Sequence, residues 1–280
     1  MNDMIAPAYE KDGYFFPYDV TGGAEAAALL ADLEAAEAEI GSDRARLSLL
    51  RSYPAQLLPS FAGLVRHPRL IEAVARVIGP DVLVWSCGFF IKEAGSKSYV
   101  SWHQDLNYWG LDGDQEITAW YALTPATVEN GCMRFVPGSH RRKDVPHVDR
   151  FAPDNLLTRG QEIAVEVDEA AAVNVLLRAG QASFHHGHMF HASGANGTNS
   201  RRLGVAIRYV APSMKQVSGD RLLVSHVSGM DGYGHFEHMP APAGRLLAED
   251  FDRARRNADM KREILYKGAE PELVKENRRA

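Results

Sequence analysis

His103, Asp105 and His191 are the residues whose types and spacing point most directly to chemistry in this chain. A histidine and an aspartate separated by one residue on an extended strand face the same way, because side chains alternate with period two. A histidine 88 positions further on would close a triangle of two imidazoles and one carboxylate. Such a ligand set leaves three adjacent positions open on an octahedral metal, the arrangement of mononuclear non-haem Fe(II) sites. His-x-Asp by itself is common on protein surfaces, so the surrounding blocks must carry the assignment.

Three blocks stand in order. The first is Ser101-Trp102-His103-Gln104-Asp105, followed by Tyr108 and Trp109. The second runs from Asn130-Gly131 to Pro137-Gly138-Ser139-His140. Its glycines permit unusual backbone angles and its proline fixes one, so a structural turn is expected there rather than chemistry. The third holds four histidines, His185, His186, His188 and His191, then Ser193, Asn196, Arg201 and Arg202. Any of the four could be the distal ligand on residue type alone.

Together these blocks resemble the phytanoyl-CoA dioxygenase family of Fe(II)/2-oxoglutarate oxygenases, which includes ectoine hydroxylase. The family pattern is His-x-Asp, an Asn-Gly…Pro-Gly-(Ser/Thr)-His turn, and His-x-Ser-x-x-Asn with Arg eleven residues after that His. The resemblance extends from about Tyr14 to about Val210. It implies His191 as the third metal ligand, with His188 as the next choice. It implies Arg202 for the distal carboxylate of 2-oxoglutarate, where a planar guanidinium fork suits a carboxylate. It also implies Ser193 beside that carboxylate and Trp109 near the cosubstrate. Fe(II), 2-oxoglutarate and O2 would be the cofactors, and hydroxylation of an unactivated C–H bond of a small molecule, with release of succinate and CO2, the reaction. Asp105 argues against a halogenase, which would have a small residue there. Two alternatives remain open: a cupin-like dioxygenase or isomerase that uses no 2-oxoglutarate, and a catalytically silent binding protein on the same fold. The substrate cannot be read from these motifs, although Lys97, Arg134, Arg141 and Arg142 offer positive charge, and Tyr108, Trp120 and Tyr121 offer aromatic surface.

Elements must hold these residues in place. Residues 23–40 and 68–79 carry apolar positions at helical spacing, the second with Pro68 early and Gly79 at its end. Short apolar runs at 83–92, 116–124, 132–136, 164–168, 172–177, 182–185 and 203–211 predict strands, punctuated by Pro, Gly and Asn. Residues 247–267 predict a charged terminal helix. A mainly β fold follows, with a two-sheet core at about 82–212 and helical buttresses at both ends, within one domain over 1–280. The resemblance makes that core a double-stranded β-helix, a cupin-like jelly roll. On a strand, Arg201 must face away from Arg202. The polar stretches 141–162 and 213–240 are expected to be loops, serving as lids or as plain connections.

Composition narrows the function classes. The chain has 280 residues, 45% hydrophobic and 24% charged, as a globular protein does. A net charge of −5 disfavours nucleic acid as a partner. Cys87 and Cys132 alone make no disulfide framework. No apolar run reaches membrane-spanning length, and residues 1–7 lack the basic-then-apolar pattern of a signal peptide. A cytoplasmic setting is therefore expected, the resemblance implies a small-molecule partner, and the oligomeric state is open.

Overall fold

The computed structural model describes residues 4–157 and 159–266. Helices α1 (Ile5–Asp12), α2 (Gly23–Ile40), α3 (Arg44–Ser52), α4 (Pro54–Leu57), α5 (Pro59–Leu64) and α6 (Pro68–Ile78) precede most of the strands, and α7 (Ala248–Leu265) follows them. The strands are β1 (Tyr14–Asp19), β2 (Val82–Lys92), β3 (Val100–His103), β4 (Glu116–Ala122), β5 (Met133–Phe135), β6 (His147–Asp149), β7 (Gln161–Ile163), β8 (Val173–Asn174), β9 (Gln181–His185), β10 (His191–Ser193), β11 (Arg202–Val210), β12 (Leu223–Ser228) and β13 (Glu237–His238).

Seven strands form a large sheet in the order β1-β9-β4-β11-β2-β12-β13, and four form a small one, β3-β10-β5-β8. Strands β6 and β7 make a separate hairpin. The large sheet has two differently occupied faces. On β11, Leu203, Val205, Ile207 and Tyr209 pack outward with the helices, against residues such as Leu33, Phe61 and Leu70. Arg202, Ala206 and Arg208 turn inward to a cavity between the sheets. Burial on both faces explains why the strand reads as a nearly continuous apolar run. Gly204 lies on the same inward row, where a side chain would collide with the Trp120 ring. The inter-sheet layer includes Trp120, Ala122, Met133, Phe135 and Ala206. This is a two-sheet β sandwich of the jelly-roll type with flanking helices.

The helices follow local rules. On α2 the buried residues Ala26, Leu29, Leu33 and Ala36 recur at three- and four-residue spacing. Helix α6 begins with Pro68 in its first turn and stops at Gly79, whose φ of 88° suits glycine. Helix α7 opens on Glu249 and Asp250, acidic residues that favour a helix N-terminus. The final residue of the expected terminal helix, Lys267, lies outside the described residues.

Several expectations need correction. The β-structure is wider than 82–212, because β1 forms one edge of the large sheet and β12 and β13 the other. Pro17 obscured β1, but an edge strand tolerates proline because it need not donate on its open side. The run 164–168 alternates apolar and polar residues yet finds no neighbouring strand. The ladder falls three residues earlier, at β7. In 172–177 only Val173 and Asn174 belong to a strand. The stretch 141–162 (Thr158 lies outside the described residues) contains the β6–β7 hairpin, and 213–240 contains β12 and β13.

Candidate metal centre and its cavity

The small sheet brings the two distant histidines together. Strands β3 and β10 run antiparallel with His191 directly opposite His103. Each ring is held through its Nδ1. The Nδ1–H of His103 faces the carbonyls of Ser101 at 2.9 Å and His191 at 3.1 Å. That of His191 donates to the Met189 carbonyl at 3.0 Å. Carbonyls only accept, so these bonds fix the tautomer and leave both Nε2 lone pairs free.

Asp105 arrives by a different route from the one its spacing suggests. Strand β3 ends at His103, and Asp105 has helical angles (φ −74°, ψ −48°) just before a short 3-10 turn. Strand alternation therefore does not place it. Its backbone N–H donates to the Gly187 carbonyl at 2.7 Å, and the N–H of Leu106 to the same oxygen at 3.1 Å. Gln104, between the two side chains, is also pinned: its Nε2 donates to the carbonyls of Arg142 and His188, both at 2.8 Å. The result is a buried cluster in which ligand atoms of His103, Asp105 and His191 all lie within 4.8 Å of one another. Asp105 Oδ1 is 3.2 Å from His103 Nε2. Two imidazole nitrogens and a carboxylate oxygen converging in this way fit a divalent iron.

Electrostatics keeps the cluster in its ligating form. Burial would raise the Asp105 pKa. The Arg208 guanidinium foremost, with help from His103 and His191, instead holds it well below the usual carboxylate range. Burial pushes His191 well below its ordinary value, so its ring is neutral. Both forms are the ones that bind metal.

The cluster opens on a cavity between the two sheets. At one end sits Arg202, 1% exposed. Its guanidinium lies 5.2 Å over the Trp120 ring, and its Nε has no partner. Ser193 lines the same space and accepts a 2.7 Å hydrogen bond from Lys92 Nζ. Lys92 stands cross-strand from Arg202 and also donates to the carbonyls of Gly131 and Gly194. Burial, then the Arg202 charge, pulls the Lys92 pKa down to about 6. Arg201 faces away, paired with Glu37 and Glu93.

Other expected residues separate into cavity and scaffold. Trp120 lines the cavity, beside Phe90, which had been assigned no contact. Trp109 does not reach it: the ring stacks on Trp85 at 5.1 Å, with Arg208 over its face at 5.6 Å, so it stands behind that arginine. Tyr121 is on the helix side of the sheet, bonded to Thr21 at 2.6 Å. Tyr108 borders a separate cleft with His147 and Arg159. Arg134 pairs with Glu169, Arg141 donates to Lys11, and Arg142 covers Phe190; none of these, nor Lys97, lines the cavity. The 130–140 turn is structural, as expected. Asn130 caps it through Thr127 and Pro125, and Gly131 (φ 75°) lies against the backbone of Gly194 and Ala195. Asn196 clamps the carbonyls of Lys92, Glu93 and Ser200, tying the strand before the cluster to the loop before Arg202.

Sequence reasoning missed Arg208 and His185. Arg208 could have been found: it lies six residues after Arg202 on one strand, hence on the same face. His185 was expected as a rival metal ligand or, failing that, a core residue or a support for the ligands, with no place in the cavity wall. The structure puts it in the cavity wall, its ring centroid 4.9 Å from that of His191.

Comparison with known proteins agrees with this geometry. Residues 9–204 match the family model described as phytanoyl-CoA dioxygenase (PhyH). Ectoine dioxygenase of Bordetella parapertussis is 29% identical over 151 residues, covering 48% of this chain and 48% of that enzyme. The match thus spans about half the length of that curated relative. The apo structure of the non-heme monooxygenase ThoJ superposes with a TM-score of 0.83 at 35% identity, covering 97% of this chain and 99% of that one. A nickel complex of ThoJ gives 0.77 and 32%, covering 94% and 99%. No helix among the described residues is long and apolar enough to cross a membrane.

Proposed function

Because the chain belongs to the phytanoyl-CoA dioxygenase family, whose members use Fe(II) and 2-oxoglutarate at a His-Asp-His facial triad, we propose that it hydroxylates an unactivated C–H bond of a small molecule, releasing succinate and CO2. The observation that carries this is the convergence of His103, Asp105 and His191 within 4.8 Å on a buried cavity that ends at Arg202.

In this proposal His103 Nε2, Asp105 and His191 Nε2 hold the iron. When bound, the iron and its cosubstrate supply the oxidising power, and the protein supplies geometry and exclusion of water. Arg202 donates to the distal carboxylate of 2-oxoglutarate. Its unpartnered Nε and its buried place over Trp120 are what a charged fork awaiting a carboxylate would show. Ser193, fixed by Lys92, adds a hydroxyl beside it. Arg208 holds the second oxygen of Asp105 at 3.4 Å, so that one oxygen stays turned toward the histidines. Phe90, Met133 and Trp120 keep the wall apolar.

The test is anaerobic addition of Fe(II) and 2-oxoglutarate, followed through the charge-transfer absorption of their complex. Oxygen and a small-molecule library follow, with succinate as the readout. A complex that forms, and succinate that rises with one class of compound, is the expected result. Iron binding with no dependence on 2-oxoglutarate would instead favour the cupin-like alternative.

A further inference from the structure

Opposite the Arg202 end of the cavity lies a polar row to which no role has been given. Arg208 of β11 pairs with Thr118 of β4, and Thr118 pairs with His185 of β9, so the three are successive neighbours across the large sheet. All three line the cavity. Thr118 is 1% exposed and His185 2% exposed, yet Thr118 Oγ1 and both ring nitrogens of His185 lack any hydrogen-bond partner. Buried polar atoms are nearly always paired, and leaving one unpaired is costly. Three such atoms in adjacent positions, all facing one cavity, mark the place of a polar group that binds there.

Arg208 indicates the sign of that group. Its contacts to Asp105 Oδ2 and Ser86 Oγ are both 3.4 Å, long for a guanidinium. Phe90 and Trp109 flank it as apolar faces. Its fork can therefore still take a short bidentate pair. A cation would be repelled here. A carboxylate can accept from Arg208, from the Thr118 hydroxyl and from one N–H of His185 at once, and its charge matches the guanidinium.

We propose that Arg208, Thr118 and His185 form a second carboxylate-binding subsite in this cavity. The proposal rests on the assignment of the protein as an Fe(II)/2-oxoglutarate oxygenase. The carboxylate has two possible sources: the end of 2-oxoglutarate remote from Arg202, or an acid group on the substrate. In the second case the enzyme acts on a small acid.

Thr118→Val and His185→Phe remove the polar atoms while keeping bulk, and Thr118→Ser and His185→Gln restore hydrogen-bonding groups. Iron affinity is measured on each, followed by 2-oxoglutarate affinity of the Fe(II)-loaded protein under nitrogen. Butyrate, an acid with no keto group, is then titrated into the Fe(II)/2-oxoglutarate complex, with the charge-transfer band as readout. If the cosubstrate is the source, Val and Phe variants lose about 10-fold in 2-oxoglutarate affinity with iron affinity retained, and Ser and Gln recover most of it. If the substrate is the source, 2-oxoglutarate affinity is unchanged, butyrate perturbs the wild-type band, and the Val and Phe variants need about 10-fold more of it. Wild-type behaviour of both apolar variants in both titrations overturns the subsite. Failure of the wild-type protein to form any Fe(II)/2-oxoglutarate complex is a separate result, which overturns the premise and the subsite with it.

Discussion

Two histidine clusters share the short stretch from His186 to His191, and among the described residues only one is arranged to bind a metal. The first is His103 and His191 with Asp105. The second is His186 and His188 with His140, beside Asp114 and Glu116. His186 Nε2 is 3.8 Å from Asp114, and its Nδ1 is 3.5 Å from Glu116. Among the described residues, only the first group brings its ligand atoms within 4.8 Å. The residue types are the same, and the backbone makes the difference. In the first cluster carbonyls take the Nδ1–H of each ring and leave Nε2 free toward a shared space. In the second the His188 N–H occupies His186 Nδ1 at 3.0 Å, the His186 ring stacks on His188, and His140 lies tilted against it. Burial takes the His186 pKa down to about 3, so the ring stays neutral. The second cluster builds the turn that the first one needs: a carboxyl oxygen of Glu116 accepts from the Gly187 N–H at 2.6 Å, and the Gly187 carbonyl in turn anchors Asp105.

Exchanging the roles of the clusters is the strongest way to break this comparison. His191→Ala should lower Fe(II) affinity by on the order of 100-fold or more, since even groups that merely orient a ligand are worth 10–100-fold, and should abolish turnover. His186→Ala and His188→Ala should keep iron binding within about 10-fold. Anaerobic iron titration with circular dichroism on each variant decides it. Loss of iron in the His188 variant with retention in the His191 variant would reverse the assignment.

The next effect is at the other end of the cavity. Arg202→Lys keeps the charge but loses the fork. It should weaken 2-oxoglutarate binding by about one to two decades, the worth of a charge-assisted hydrogen bond of roughly 1.5–3 kcal/mol. Arg201→Lys should leave that affinity unchanged and alter stability by no more than about 1 kcal/mol, as for a partly exposed ion pair. The two affinities measured side by side test the strand register directly.

How far the sequence carried these assignments depends on what each relied on. Arg202 was legible from the family's spacing, eleven residues after His191, and Arg201, just ahead of β11, faces the other way as adjacent extended residues do. Helix α2 was legible because its apolar spacing is uninterrupted. Asp105 joins the cluster for a reason other than the one its spacing suggested: its place comes from a turn anchored on Gly187, 82 residues away, and no local pattern records such a contact. The strand expected at 164–168 failed for the complementary reason. Alternation shows that a segment suits a sheet, not that a partner is present. Trp109 followed the family's spacing, but Arg208 stands between it and the cavity, and that layering is a tertiary fact.

Glu116 gives a smaller effect, on stability. Burial raises its pKa well above the ordinary value of 4.5. Below the unfolded pKa the carboxyl is neutral in both states. As pH rises from there toward the folded value, the unfolded chain ionises and the folded one does not, so the wild-type protein loses up to about 1.4 kcal/mol per pH unit over that window. Glu116→Gln keeps an oxygen for the Gly187 N–H and cannot ionise. Its melting temperature relative to wild type should therefore climb between pH 5 and pH 8. A constant difference across that range would show that Glu116 is ionised in the fold, and that the turn under Asp105 is held by charge.

Lys92 tests where the line between scaffold and ligand site falls, and it carries the smallest signal. Its Nζ is engaged by Ser193 and two backbone carbonyls, as a scaffold group would be, yet it stands opposite Arg202 at the cavity end. With a pKa of about 6, roughly a tenth of its amines are charged at pH 7. A dianionic cosubstrate beside Arg202 would favour the charged form and draw that pKa upward. A rise of about two units would take up roughly 0.8 proton per 2-oxoglutarate bound at pH 7. At pH 9 the uptake should shrink, because there most of the amine would remain neutral even after binding. Calorimetric binding enthalpies in buffers of different ionisation enthalpy read this directly, and Lys92→Met should abolish the buffer dependence while leaving the iron site loaded. Buffer-independent enthalpy in the wild-type protein would place Lys92 on the scaffold side, as a neutral amine that fixes Ser193 and never meets the charge of the ligand.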